Sequence, residues 1–150
     1  MKKVTLAITL VTLAVFSFSS CKKDDDDGLT GRSAQIVGSW RETEEGSDVN
    51  ANGTWDASEK NAVNAADAAK FVFNSNGSGT VTDNQFGSPI PININWMLYN
   101  NENNIRIIAT IPILNITDTL YYNIVTMTNK EAIVKDTTAS PVKYMTLTKQ

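Results

Sequence analysis

No histidine occurs anywhere in the 150 residues, and cysteine occurs once. The first absence excludes a Ser-His-Asp triad, a zinc–histidine site and a histidine general base. The second excludes an internal disulfide. Basic residues are also scarce, with 13 Lys and Arg against 16 Asp and Glu and a net charge of −3. Nucleic-acid binding needs a basic footprint that releases counterions, so that class of partner is excluded. The apolar run Val4 to Phe18 is broken by Thr5, Thr9, Thr12 and Ser17. It is too short and too polar for a spanning helix of about 20 residues. No catalytic constellation stands out: Glu42 falls on a predicted strand, while Glu44 and Glu45 fall in a polar loop. The chain is therefore expected not to be an enzyme. Its length allows one domain with a core large enough to fold without staples.

The start of the chain carries a positive Met1-Lys2-Lys3, the apolar stretch to Phe18, and small Ser19 and Ser20 before Cys21. This arrangement resembles the lipobox of bacterial lipoproteins, with Phe18 where leucine is usual. The resemblance implies that residues 1–20 are a lipoprotein signal peptide and that Cys21 carries a lipid anchor to the membrane. An ordinary secretory signal with a free thiol is the alternative. Loss of residues 1–20 removes Lys2 and Lys3 and no acid, leaving a net charge of −5. Residues 21–33 then read as a lipidated acidic tether. Four adjacent carboxylates, Asp24 to Asp27, repel one another and keep it extended. Lys22 to Asp27 also looks like the acidic export signal of some Gram-negative lipoproteins. The expected location is the Gram-negative outer membrane, facing the cell exterior; a periplasm-facing lipoprotein with an acidic linker stays open.

From residue 34 to 150 the pattern changes to short alternating runs. Gln35 to Thr43 reads as a first strand with Ile36 and Trp40 on one face, followed by a polar loop from Glu44 to Lys60. Five alanines between Asn61 and Lys70 predict a short helix. Phe71-Val72-Phe73, the turn Asn74-Ser75-Asn76-Gly77 and Ser78 to Asp83 form a hairpin. Ile92, Ile94, Trp96 and Leu98 alternate with Asn93, Asn95, Met97 and Tyr99, the period of a strand with one buried face. Further strands follow at Ile105 to Ile113, Leu120 to Thr128, Glu131 to Asp136 and Pro141 to Lys149, with polar turns at Asn100 to Asn104 and at Asn129-Lys130. The expected fold is all-β, an antiparallel meander of about eight strands with one short helix after the first loop. Closing it into a barrel removes the exposed edges.

Gly38-Ser39-Trp40 resembles the G-x-W start of lipocalins. The hairpin from Phe71 to Val81 and the ending Lys143 to Lys149 are similar to small lipocalin-like bacterial lipoproteins. The resemblance implies a small barrel that binds a small, mostly apolar ligand. No arginine near the C-terminus stands ready to stack on Trp40, so Lys143 or Lys149 is expected to cover it. A generic small β-sandwich or open barrel is the other fold. Trp96, Tyr99, Tyr121 and Tyr122 are available to a ligand cavity or a sugar-stacking face, although an aromatic on an apolar strand face is commonly plain core. Trp96 and Tyr122 are the expected lining residues. Arg106, a charge within an apolar strand, faces either a ligand carboxylate in the cavity or the solvent. Two functions follow: a ligand-binding module, or a non-enzymatic structural or protein/glycan interaction subunit with a filled core.

Within the polar loop, Asp48 to Glu59 resembles the twelve-residue EF-hand calcium loop. Oxygen-bearing side chains fall at its positions 1, 3, 5, 9 and 12, namely Asp48, Asn50, Asn52, Asp56 and Glu59, with Gly53 at the sharp turn. Thr54 would offer its backbone carbonyl. Trp55 supplies the following apolar residue, and Ala57 to Ala69 the exiting helix; an entering helix is missing. The resemblance implies bound calcium as a possible cofactor. With three carboxylates in the loop, the expected affinity is modest, on the order of 10⁻⁴–10⁻³ M.

Overall fold

Period-two alternation governs the chain from Gly38 onward, and it folds as a closed antiparallel barrel. The structure, a computed structural model, describes residues 29–83, 89–111 and 116–150. The signal segment, Cys21 and the tether as far as Gly28 lie outside the described residues, while Gly31 to Ser33, assigned from sequence to the tether, belong to a helix. A short helix, α1 (Gly31–Ile36), precedes the first strand, β1 (Gly38–Ser47). A 3-10 turn (Ala57–Glu59) leads into β2 (Lys60–Ala62) and β3 (Lys70–Phe73). Then come β4 (Ser78–Asp83), β5 (Ile90–Tyr99), β6 (Asn104–Ile111), β7 (Ile116–Met127), β8 (Glu131–Asp136) and β9 (Lys143–Lys149).

Neighbouring strands pair antiparallel from β3 through to β9, and β9 returns to pair with β1 from Trp40↔Lys149 to Ser47↔Lys143. Eight strands thus close, which leaves no free edge between first and last. The arrangement is compatible with a lipocalin-like fold. β1 serves two partners on its other side. Its first half pairs β3, from Gly38↔Phe73 to Arg41↔Lys70, and its second half pairs the short extra strand β2, from Glu44↔Ala62 to Gly46↔Lys60. A bulge between Glu42 and Glu44 adjusts the register along β9.

One end of the barrel is packed solid. Trp40, Phe73, Ile105, Ile107 and Val134 are fully buried there with Phe71, Ile94, Trp96 and Leu147. Phe73 meets Trp96 edge-on at 5.4 Å and Phe71 in parallel at 6.1 Å. Each such side chain contributes about 1.5–3 kcal/mol on leaving water. α1 closes this end: Ile36 enters the core, and its carbonyl accepts the Trp40 indole N–H at 2.6 Å. The helix is tied to the β5–β6 turn, where Glu102 accepts the Arg32 amide at 2.8 Å and the Ser33 hydroxyl. Those two hydrogen bonds, Ser33 first, hold the Glu102 carboxyl below its ordinary range.

Two expectations about local structure are corrected. Gln35 and Ile36, assigned from sequence to the first strand, belong to α1, and the strand runs instead through Ser47. The alanine-rich stretch 61–70 is not a helix, and no helix extends from Ala57 to Ala69. Only the 3-10 turn follows the loop; Lys60–Ala62 then joins the sheet, and one tight turn forms where the Asn64 carbonyl accepts the Asp67 and Ala68 amides, each at 2.9 Å. Alanines offer little apolar face to bury, whereas β1 offers a backbone edge that needs partners. The predicted Asn74–Gly77 turn is present, with Gly77 at φ 81° and the Asn74 amide bonded to the Ser78 carbonyl at 2.9 Å.

Candidate functional site

The end of the barrel opposite α1 is open. Here β1 ends at Ser47, β8 ends at Asp136 and β9 begins at Lys143, around an open cavity of about 640 Å³. Alternation along three strands places its wall. Glu42 follows Trp40 by two residues, Asp136 follows Val134 by two, and Met145 precedes Leu147 by two, so two acids and a methionine continue the inward faces that the core begins. Val134, Met145 and the ring of Tyr122 form the apolar part of the lining; Glu42, Glu45, Asp136 and Lys143 form the charged part.

Electrostatics in the mouth is dominated by acid. Burial raises the Glu42 carboxyl above its ordinary range; the Ala69 amide opposes this, and the charges of Glu45 and Asp83 add to it. The Tyr122 phenol is pushed up to about 12, chiefly by burial and then by Asp136, Glu42 and Asp118. Asp136 sits lower than usual, because hydrogen bonds from Thr138 and the Ala139 amide, with the charge of Lys143, outweigh the opposing effect of burial.

The Asp48–Glu59 loop stands against this mouth, since Val49, Ser58 and Glu59 belong to the cavity lining. Its own side chains organise it. The Asp48 carboxylate accepts the Asn52 and Gly53 amides at 3.1 and 2.9 Å, and Asn50 Oδ1 accepts the Asn52 amide at 2.9 Å. Asn52 Oδ1 accepts both the amide and the hydroxyl of Thr54, at 2.7 and 2.6 Å. Glu59 reaches back across the loop: Oε1 accepts the Val49 and Asn50 amides and Oε2 the Asp56 amide, at 2.9, 3.3 and 3.2 Å. Gly53 adopts φ 81°, a conformation an L side chain resists, at the turn position expected for it.

The loop is clamped to the barrel's outer wall by aromatics. Trp55 stacks on Tyr144 of β9 with centroids 5.4 Å apart, and the Lys60 ammonium lies 4.7 Å from the Trp55 centroid. The Tyr144 hydroxyl donates to the Gly53 carbonyl at 3.3 Å. Gly46 makes the approach possible: a Cβ there would lie 2.0 Å from the Glu59 carbonyl oxygen and 2.7 Å from the Trp55 indole nitrogen.

The oxygen donors of the loop lie close together, but those of Asp48, Asn50, Asn52 and Glu59 already accept hydrogen bonds from the loop itself. Asp48 and Glu59 are 5% and 8% exposed, and neither has a basic side chain within ion-pairing distance among the described residues. Buried carboxylates need partners, and here backbone amides rather than a basic side chain supply them. No three acidic groups among the described residues converge as a ready metal cluster. Instead the amide nitrogens of Asn50 and Asn52 both donate to Asp56 Oδ2, at 3.0 and 2.9 Å. These bonds, Asn52 first, hold the Asp56 carboxyl below its ordinary range. Turning those two amides over would present their oxygens beside Asp56, as calcium would need, but only by breaking the bonds that Asn50 Oδ1 accepts from the Asn52 amide and Asn52 Oδ1 from Thr54.

Of the residues expected to line a ligand cavity, Tyr122 does so, and Trp96 and Arg106 do not. Trp96 is in the packed end, its indole N–H donating to the Ser78 carbonyl at 2.9 Å and the Asn74 carbonyl at 3.2 Å. Arg106 lies on the outer wall, paired across strands with Met97 and Tyr121, which are themselves exposed. Its guanidinium contacts the Met97 sulfur at 2.8 Å, and its Nε is buried without a partner. Tyr99 is exposed as well. Glu42 and Asp136 were the residues sequence reasoning missed. The available signal was an acid two residues beyond a buried apolar residue on the same strand. Comparison with protein-family models and with curated proteins finds no match for this chain.

Proposed function

We propose that this chain is a non-enzymatic, surface-anchored lipoprotein whose lipocalin-like barrel holds a small ligand in its mouth, with a calcium-stabilised loop beside it. The observation that carries this reading is the open cavity of about 640 Å³, walled by β1, β2, β7, β8 and β9, with Val49, Ser58 and Glu59 of the loop at its side. A volume of several hundred cubic ångströms with an apolar floor and a few polar groups is what small-molecule sites have in common. Asp48, Asn50, Asn52, Asp56, Glu59 and the Thr54 carbonyl would hold the ion, which supplies positive charge and rigidity to the loop. The lipid at Cys21, supported by the lipobox resemblance, anchors the domain, and the tetra-Asp tether directs it to the exterior of the outer membrane. Titration with an environment-sensitive hydrophobic dye tests the cavity: saturable, one-site binding to the native protein is expected, and no binding across a broad panel of dyes would overturn it.

A second reading has its own observation. Met97, Tyr99 and Tyr121 are exposed around Arg106 on one stretch of the outer wall, which suits a protein or glycan contact. Replacing Tyr99 and Tyr121 by serine would leave dye binding intact and abolish retention on such a partner.

A further inference from the structure

The walls of the cavity carry more acid than base. Its apolar floor, Val134 and Met145, lies below a mouth where Glu42, Glu45 and Asp136 outnumber the one basic lining residue among those described, Lys143. Lys143 is exposed and stands opposite Asp136 across the β8–β9 pair. The acidic groups are unequal. Glu59 has both oxygens committed to loop amides, and Asp136 Oδ1 accepts the Thr138 amide and hydroxyl at 2.8 and 2.6 Å. Glu42 accepts a single long bond, from the Ala69 amide at 3.4 Å, and the Tyr122 hydroxyl has no partner among the described residues. A half-buried carboxylate with one long bond and a phenol hydroxyl with no partner among the described residues therefore face one open space that also offers apolar surface. Neither is sealed from water, and a ligand that displaces that water must supply hydrogen-bond partners of its own.

We propose that the cavity selects positively charged amphiphiles, an organic ammonium group engaging Glu42 and Tyr122 while its apolar chain lies on Val134 and Met145. This rests on the cavity reading above and adds the class of ligand. An ammonium donates to Glu42 and Tyr122 and brings the counter-charge that the mouth lacks. A fatty carboxylate of the same chain length meets Glu42, Glu45 and Asp136 as like charges and leaves Glu42 unpaired. The sign of the head group, not the length of the chain, sets the preference.

Three probes of equal chain length, used below their micelle concentrations, test the proposal by calorimetry on the folded domain: dodecylamine, dodecanol and dodecanoate. Dodecylamine is expected to bind about ten-fold or more tightly than dodecanoate, a difference of about 1.4 kcal/mol. Added salt should shrink the gap. Glu42→Gln should reduce it to about two-fold while dodecanol binding stays unchanged, and Glu45→Gln at the exposed rim should narrow it less. Equal binding of the amine and the carboxylate would overturn the charge selection and leave the cavity standing. Failure of all three probes to bind would overturn the cavity itself. Retention of the full gap in a folded Glu42→Gln variant would also overturn the assignment of Glu42.

Discussion

Lys149 stands over the indole of Trp40, its ammonium 5.3 Å from the ring centroid, and donates to the Gln35 carbonyl at 3.0 Å. The two residues are opposite one another in the β1–β9 pairing that closes the barrel. One contact therefore joins the last strand, the first strand and α1. Burial lowers the Lys149 pKa from its ordinary value, so the charge is held partly out of water.

Lys149→Met should accordingly destabilise the domain by about 1–2 kcal/mol, the sum of a cation–π contact and a hydrogen bond. Lys149→Arg should lose much less, because it keeps both partners within reach. Urea denaturation of the two variants checks the order; equal losses would mean that packing of the stem, not the charge, matters at this seam.

Calcium should stabilise the protein through the loop. At concentrations ten-fold above the dissociation constant, a ligand bound only to the folded state adds about 1.4 kcal/mol. Millimolar calcium is expected to raise the melting temperature and alter Trp55 fluorescence, because Trp55 is stacked on Tyr144. Glu59→Gln should abolish both responses, and Glu42→Gln neither. A melting curve indifferent to calcium would leave Asp48 to Glu59 as a surface turn.

Glu42 makes stability fall as pH rises. Its folded-state pKa lies above the ordinary carboxylate value because burial, then Glu45 and Asp83, disfavour the charge. A raised pKa means that the contribution of the protonated form is complete below the unfolded value and is lost as pH climbs through the folded one. Glu42→Gln keeps an oxygen for the Ala69 amide and cannot ionise. It should raise the melting temperature by about 1–3 °C at pH 7, a small effect because the site is partly solvated, and by nothing near pH 4. The same rise at both pH values would show that charge is not the cause.

Gly46→Ala should detach the loop without unfolding the barrel. The new methyl would collide with the backbone of Glu59, which has no easy way to yield. The expected loss is about 1–3 kcal/mol of local stability, seen as faster amide exchange at Val49, Asn50 and Asp56 with the core amides unaffected. Uniform loss of protection would place Gly46 in the barrel's own cooperative unit instead.

If Cys21 carries the proposed lipid, Cys21→Ser should lose fatty-acid labelling and leave the membrane fraction, since each buried CH₂ of an acyl chain contributes about 0.8 kcal/mol. Undiminished labelling of the variant would remove the lipidation reading. Alanine at Asp24 to Asp27 should leave labelling intact and reduce protease accessibility on whole cells.

Most of the barrel was legible in residue alternation. The Phe71–Phe73 hairpin and the Ile92–Leu98 face follow from period two, and the missing arginine left Lys143 or Lys149 to cover Trp40, which Lys149 does. What could not be read were features made by contacts distant in sequence. β2 exists because β1 has an unpaired edge beyond Arg41, a fact of topology that the alanines of 61–70 do not announce, although Ala62 pairs there with Glu44. The cavity was half visible: Tyr122 follows the apolar face of its strand, but Trp96 shares the same kind of alternation and ends in the packed half. Height along the barrel separates the two, and height depends on strand stagger. Arg106 was ambiguous for the matching reason, that a single residue of register decides between inside and outside.

Position of the closing helix gives the domain a direction. α1 enters the barrel base at Ile36, and the β9 end at Lys149 lies beside it, while Ser47, Asp136 and Lys143 ring the opposite rim. A domain held through the chain leading into α1 is thus suspended by its base, like a cup on a string fixed beneath it. Its mouth and the loop at its lip turn away from the point of attachment, toward whatever diffuses past.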